Sequence, residues 1–240
     1  MQLTPPYGYG EIVPLRKEHR VMLPQGEIAR FARHLNALSI SAAEFGAAAR
    51  DYPIVFASLD KGSSFAPVVV LGLEREANLF VDAAGGWDGG AYLPAFVRRY
   101  PFCIAKLYVD GEARSERVVC VVKACIDEGG TALFDAQGGP TPRWQATERL
   151  LAEYEADLDR TAQMCAALAR LQLLEPFTLQ AAEVKLGGMY RVSEPKLRAL
   201  EAASHKLLVG KGWMGLVYAH VHSLQNFSRL EERRRRGSRG

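Results

Sequence analysis

The chain has 240 residues, 48% hydrophobic and 24% charged, which excludes a wholly disordered polypeptide and allows a sizeable core. Its formal charge is +3, but six of the 30 basic and two of the 27 acidic residues fall in the last twelve positions. The 24 basic and 25 acidic residues before them leave no cationic excess, so the body has no charge basis for binding nucleic acid.

The opening run MQLTPPYGYGEIVPL has neither a basic leader nor an apolar one, and stretches such as APVVVLGL are too short to span a bilayer. The expectation is a cytoplasmic protein with no integral membrane segment, export by a different signal staying open. Going along the chain, EIARFARHLNAL suggests a helix with Ile28, Phe31 and Leu35 on one face. SAAEFGAAARDYP suggests a second, opened by Ser41 and Glu44 in the S-x-x-E capping pattern and closed by Pro53. Residues 52–59 and 66–73 read as an antiparallel hairpin turned by Asp60, Gly62 and Ser63. Residues 78–82 are a third candidate strand. Residues 102–109 and 117–126 form a further pair, joined through a turn containing Asp110 and Gly111.

The period then changes. Leu150, Leu151, Tyr154, Leu158, Thr161, Cys165 and Leu168 repeat at helical spacing, with Thr141 as the cap and Pro142 in the first turn. Residues 177–184 and 186–192 read as strands, 195–208 as a helix ended by Gly210, and 213–233 as a last helix. The fold class is α+β: one domain over residues 1–230, with a mostly antiparallel sheet from the N-terminal half and packed helices mainly from the C-terminal half. Residues 231–240 read as a flexible, Arg-rich tail.

No chemistry-bearing motif stands out. His220 and His222 are two apart in a helical pattern, about 200° around the axis, so they do not share one metal. His220 falls in the apolar stripe as a core histidine, and His222 faces away. Cys103, Cys120, Cys125 and Cys165 sit among apolar neighbours without a CxxC pair and read as free thiols of a reducing compartment. AAGGWDGG lacks the spacing of a nucleotide loop, and no G-x-S-x-G elbow occurs. Neither a metal nor a cofactor is expected.

The stretch YLPAFVRRYPF, with GGWDGG upstream, is the one unusual feature. Tyr92, Phe96 and Tyr100 repeat every four residues and would share a helix face, with Arg98 and Arg99 directed elsewhere. The arginines either pair internally with Asp82, Asp88 or nearby glutamates, or offer a bidentate edge to a carboxylate or phosphate. The candidate ligand- or partner-binding residues are therefore Trp87, Asp88, Tyr92, Arg98, Arg99 and Tyr100. Three readings follow: a binding protein for a peptide or protein client, an enzyme with a site assembled from Asp82, Asp88, the two arginines and a histidine, or a self-associating subunit, a homo-oligomer.

DYPIVFA, PVVVLGLEREANLFVDAAGGWDGGAYLPAFVRRYPF, ALFDAQGGPTP, LLEPFTLQ, MYRVSEPKLRAL and LVYAHVHSLQNFSRL follow one another in this order. Together they resemble the SapC family of bacteria, over about residues 14–230. The resemblance implies an accessory protein tied by name to a surface layer and its export apparatus. It supplies no catalytic residue set.

Overall fold

The structure, a computed structural model, describes residues 2–58, 60, 62–109, 112–181 and 184–237. Eleven strands occur among the described residues: β1 (Gln2–Leu3), β2 (Ile12–Pro14), β3 (Arg20–Val21), β4 (Ala37–Ser39), β5 (Ile54–Ser58), β6 (Phe65–Val70), β7 (Phe102–Val109), β8 (Glu112–Val122), β9 (Thr131–Ala132), β10 (Leu174–Ala181) and β11 (Val184–Val192). The helices are α1 (Phe45–Ala48), α2 (Ala95–Arg98), α3 (Pro142–Arg170), α4 (Glu194–Arg198), α5 (Ala202–Gly210), α6 (Trp213–Ser223) and α7 (Asn226–Gly237).

All strand pairs are antiparallel, in sheets ordered β1-β7-β8-β2 and β10-β11-β5-β6-β4, with a two-stranded β3-β9 pair. The architecture is α+β, as the change of period implies. The β5–β6 hairpin forms in the expected place. Asp60 Oδ1 accepts the Ser63 amide at 3.0 Å, and Gly62 at φ +106° supplies the left-handed turn position. The turn at Asp110 and Gly111 lies outside the described residues, as do positions 182 and 183 of the strand read over 177–184.

Helix α3 begins as its sequence dictates. Thr141 Oγ1 accepts the Trp144 amide at 3.3 Å, and Pro142 occupies the first turn. Its apolar stripe buries Leu151, Tyr154, Met164, Cys165 and Leu168. Met164 and Leu168 join the main core around Phe45, Tyr52, Phe56 and Leu71, while Trp144 and Leu151 close a smaller cluster with Phe102 and Val121.

Three expectations need correction. The helix read over 27–38 shrinks to one 3-10 turn, Arg30–Ala32, because distant groups take its carbonyls. Asn78 Nδ2 donates to Ala32 O, the Asn78 amide to Arg33 O, and the Leu71 amide to Asn36 O. Residues 78–82 make no strand; Val81 pairs with Trp87 in an isolated bridge. The C-terminal helices are broken rather than continuous. Ser223 Oγ accepts the Ile54 amide at 2.9 Å, and Asn226 Nδ2 donates to Ala49 O and Tyr52 O, so the chain bends between α6 and α7 to reach the entry of β5. Positions 231–237 of the Arg-rich end continue α7. Arg233 pairs with Asp88 at 2.7 Å and stands 4.3 Å over the Phe80 ring.

His220 is fully buried between β5 and β11. Its Nε2 accepts the Val192 amide at 3.1 Å, so Nδ1 carries the proton and donates to Ile54 O at 2.8 Å. His222 is exposed on the other side of α6.

Candidate functional site

The YLPAFVRRYPF stretch becomes a four-residue helix, α2, set between Pro94 and Pro101. Proline geometry keeps α2 short, so Tyr92 and Tyr100 lie outside it and the three aromatics do not form one helical face. Phe96 and Tyr100 both pack against Tyr9 and Phe31; Tyr100 stacks on Phe31 with ring centres 4.2 Å apart. Tyr92 turns the other way and donates to Glu44 Oε1 at 3.2 Å.

Glu44 is the fixed point of this segment, and sequence reasoning placed it only as a cap. Its buried carboxylate accepts the Ser41 amide at 2.8 Å and the Ala95 amide at 2.7 Å, besides the Tyr92 hydroxyl. Burial, followed by the Glu44 charge, raises the Tyr92 pKa. One carboxylate thus ties the start of α2 to the turn before α1.

The two arginines go to different places. Arg98 is exposed; its Nε donates to Leu93 O and its Nη2 to the Tyr92 hydroxyl, each at 3.2 Å. Arg99 is only 5% exposed. Instead of pointing away from the aromatics, its guanidinium sits over Tyr154 at 4.7 Å, Phe96 at 5.1 Å and Tyr9 at 5.8 Å. Nη1 lies 3.7 Å from Glu155 Oε1, and Glu155 also meets Arg117 at 3.0 Å. Burial disfavours the Arg99 charge, but Tyr9, Tyr154, Cys103 and Glu155 outweigh it, and its pKa is raised. The same burial raises the pKa of Tyr9 and Tyr154.

Neither arginine pairs with Asp82 or Asp88. Asp82 accepts the Gly86 amide at 2.9 Å, and Asp88 accepts the Gly90 amide at 2.9 Å and pairs with Arg233; these two contacts hold the Asp88 pKa below its ordinary value. Trp87 stacks on Phe80 and donates to the Tyr52 hydroxyl and Tyr92 O. The six residues singled out from the sequence therefore divide into a Trp87–Tyr92 group, an Asp88–Arg233 pair and the arginines with Tyr100. The enzyme reading needed Trp87 and the arginines around one cavity, and Trp87 does not line the two hollows that Arg99 touches.

The first hollow is a cleft of about 130 Å³ at the N-terminal end of α3. Arg98, Arg99, Tyr100, Arg143 and Thr147 line it, with Leu23 and Pro24 opposite. Arg143 occupies the first turn of α3, which contains no acidic residue. A cation there opposes the helix dipole by about 0.3–1 kcal/mol, so the cleft is electropositive beyond its side-chain count. Among the described residues, Arg98 and Arg143 form no ion pair. Leu23, Pro24 and Tyr100 are shared with a neighbouring, mainly apolar groove of about 350 Å³ that includes Met22, Phe31 and Cys125, with the charged Glu27 and Arg30 also in its lining.

The second hollow, of about 340 Å³, lies between α3 and β6. Phe65, Pro67, Phe96, Tyr154 and Leu158 make it mainly apolar, and Arg99 is its cation. Arg99 Nε is buried with no acceptor among the described residues, an orphan donor of the kind that costs about 1–3 kcal/mol.

No group of three or more His, Cys, Asp and Glu residues able to hold a metal occurs among the described residues, and no helix among them is long and apolar enough to cross a membrane. Nothing in the sequence marks Arg143, Tyr154 and Glu155 as partners of α2. Glu155 sits one position from the apolar stripe of α3, a weak signal that only the packing of α3 on α2 makes readable.

A search of the curated proteins and a search of the solved structures each find no match. A family model described as SapC matches residues 16–230, and the chain belongs to the SapC family.

Proposed function

We propose that this chain is a binding protein that recognises a peptide segment of a client protein in the cleft of Arg98, Arg99, Tyr100 and Arg143. The observation that carries the reading is the meeting of two exposed arginines, neither in an ion pair among the described residues, at the positive end of α3, with a mainly apolar groove running on from them. An acidic side chain or terminal carboxylate would lie against the arginines, where a guanidinium offers paired donors. An apolar residue next to it would enter the groove beside Met22, Phe31 and Tyr100. The proposed client is one handled in surface-layer or export processing, a step that rests on the family name. The place proposed for it is a reducing compartment such as the cytoplasm, supported by the four free cysteines.

The test uses peptides that pair an Asp or Glu with a neighbouring Leu or Phe, each matched to its Asn or Gln counterpart. The wild-type chain is expected to prefer the acidic member by about tenfold, more at low salt. Arg98→Ala with Arg143→Ala removes that preference. Equal binding of acidic and amide peptides, or an unaffected double variant, refutes the reading.

A further inference from the structure

We infer that the cavity between α3 and β6 is a separate binding site for a small monocarboxylate with an apolar body, held by Arg99. This inference does not depend on the peptide cleft. Three observations support it. The cavity, at about 340 Å³, falls at the lower end of the range of small-molecule sites. Its walls are predominantly apolar, with Phe65, Pro67, Phe96, Tyr154 and Leu158 available to cover a hydrocarbon body. Its one cation is a side chain that is 6% exposed and whose Nε finds no acceptor among the described residues.

The other polar groups narrow the ligand class. Thr161 Oγ1 donates to Asp157 O at 2.6 Å and accepts the Ala42 amide at 2.7 Å, so it has little left to offer a ligand. Arg99 Nη1 already faces Glu155 at 3.7 Å. What remains is one guanidinium, already facing Glu155, with the hydroxyl-bearing Tyr7, Ser39 and Tyr154 elsewhere in the lining. That suits a single negative charge spread over two oxygens and is too little for a phosphate dianion, which needs several donors. A neutral apolar molecule would fill the walls but bring no charge to the one cation there. The ring faces of Tyr154, Phe96 and Tyr9 hold the guanidinium in place before any ligand arrives, so little ordering remains to be done on binding.

Octanoate and its neutral counterpart 1-octanol serve as probes, titrated calorimetrically into the full chain near neutral pH. Saturable one-to-one binding of octanoate is expected, with octanol weaker by about tenfold or more. Hexanoate should bind about tenfold more weakly than octanoate, since two fewer methylenes are buried. Ala162 is an exposed residue of α3 that lines the cavity, so Ala162→Trp should block octanoate binding without disturbing the core. Arg99→Met keeps an apolar stem out to about the Nε position, removes the guanidinium and leaves Glu155 paired with Arg117; it should reduce octanoate to the level of octanol. Arg143→Ala, in the other hollow, should leave octanoate binding unchanged, so failure of this site and failure of the peptide cleft are separable. No saturable binding at millimolar octanoate, equal affinity for octanol, or full binding by Ala162→Trp overturns the inference, whether or not Arg99→Met folds.

Discussion

Acidification should weaken this fold through one residue, His220. In the folded chain Nε2 accepts the Val192 amide and Nδ1–H donates to Ile54 O, so both nitrogens are committed in the neutral form. Protonation would turn the acceptor into a second donor facing an N–H. Burial, chiefly, with the nearby Arg191 charge adding to it, pushes the His220 pKa down from 6.5 to about 4, although the Ile54 carbonyl acts in the opposite sense. The unfolded chain binds the proton near pH 6.5 and the folded chain only near 4, so folding stability is complete above 6.5 and falls as the pH drops through that window. At about 1.4 kcal/mol per pH unit, the gap corresponds to roughly 3 kcal/mol, a large share of the 5–15 kcal/mol that a typical protein has. The assay is urea unfolding of the wild type and His220→Gln at a series of pH values from 7 to 4. The variant starts less stable, but its stability should fall by about 3 kcal/mol less over this range. Asp60, Asp88, Glu27 and Glu175, whose pKa values are lowered, are common to both chains and cancel in the difference. Parallel pH curves for the two proteins would refute the argument.

Asn226→Ala removes two hydrogen bonds to Ala49 O and Tyr52 O at the bend between α6 and α7, and should cost about 1–3 kcal/mol in urea unfolding; an unchanged midpoint would contradict the role given to that side chain. Burial pushes the Cys103 and Cys165 thiols up to about 12 and Cys120 to about 11, so in the native chain iodoacetamide should label the half-buried Cys125 first, and mass spectrometry showing Cys103 or Cys165 modified earlier would count against their placement. Arg233→Ala deletes the Asp88 ion pair and the contact over Phe80; because both charged partners are about a third exposed, the expected loss is within about 1 kcal/mol, read most sensitively as faster amide exchange at residues 80–90. Exchange that stays at the wild-type rate there would mean that α7 does not anchor this loop.

What could be read from the sequence was whatever local chemistry decides. The β5–β6 hairpin carries its own turn residues, and α3 carries its cap, its proline and an unbroken stripe. The errors arose where distant groups compete for the backbone. The 27–38 segment has helical periodicity, but Asn78 and Leu71, some forty residues away, take the carbonyls that a helix would use. The 213–233 segment has it too, and Ser223 and Asn226 divert it toward β5. Such long-range hydrogen bonds leave no trace in a periodicity of 3.6. His220 and His222 were readable because one helical rotation separates a buried position from an exposed one.

The same contrast governs the candidate site. Two neighbouring arginines beside aromatics announce anion chemistry, but a pair so placed cannot act as one clamp if the backbone sets them about 100° apart. Pro94 and Pro101 confine the helix to one turn, and Glu44 fixes its start through the Ala95 amide. With the segment pinned, Arg98 must face solvent and Arg99 must face α3. Arg99 then needs a counter-charge and aromatic cover from α3, and finds them in Glu155 and Tyr154. Arg98 acquires a cationic neighbour instead, Arg143, across the cleft. One rigid turn thereby gives two adjacent residues opposite environments: an exposed cation suited to a water-accessible acidic partner, and a desolvated one suited to a single carboxylate brought in on an apolar body.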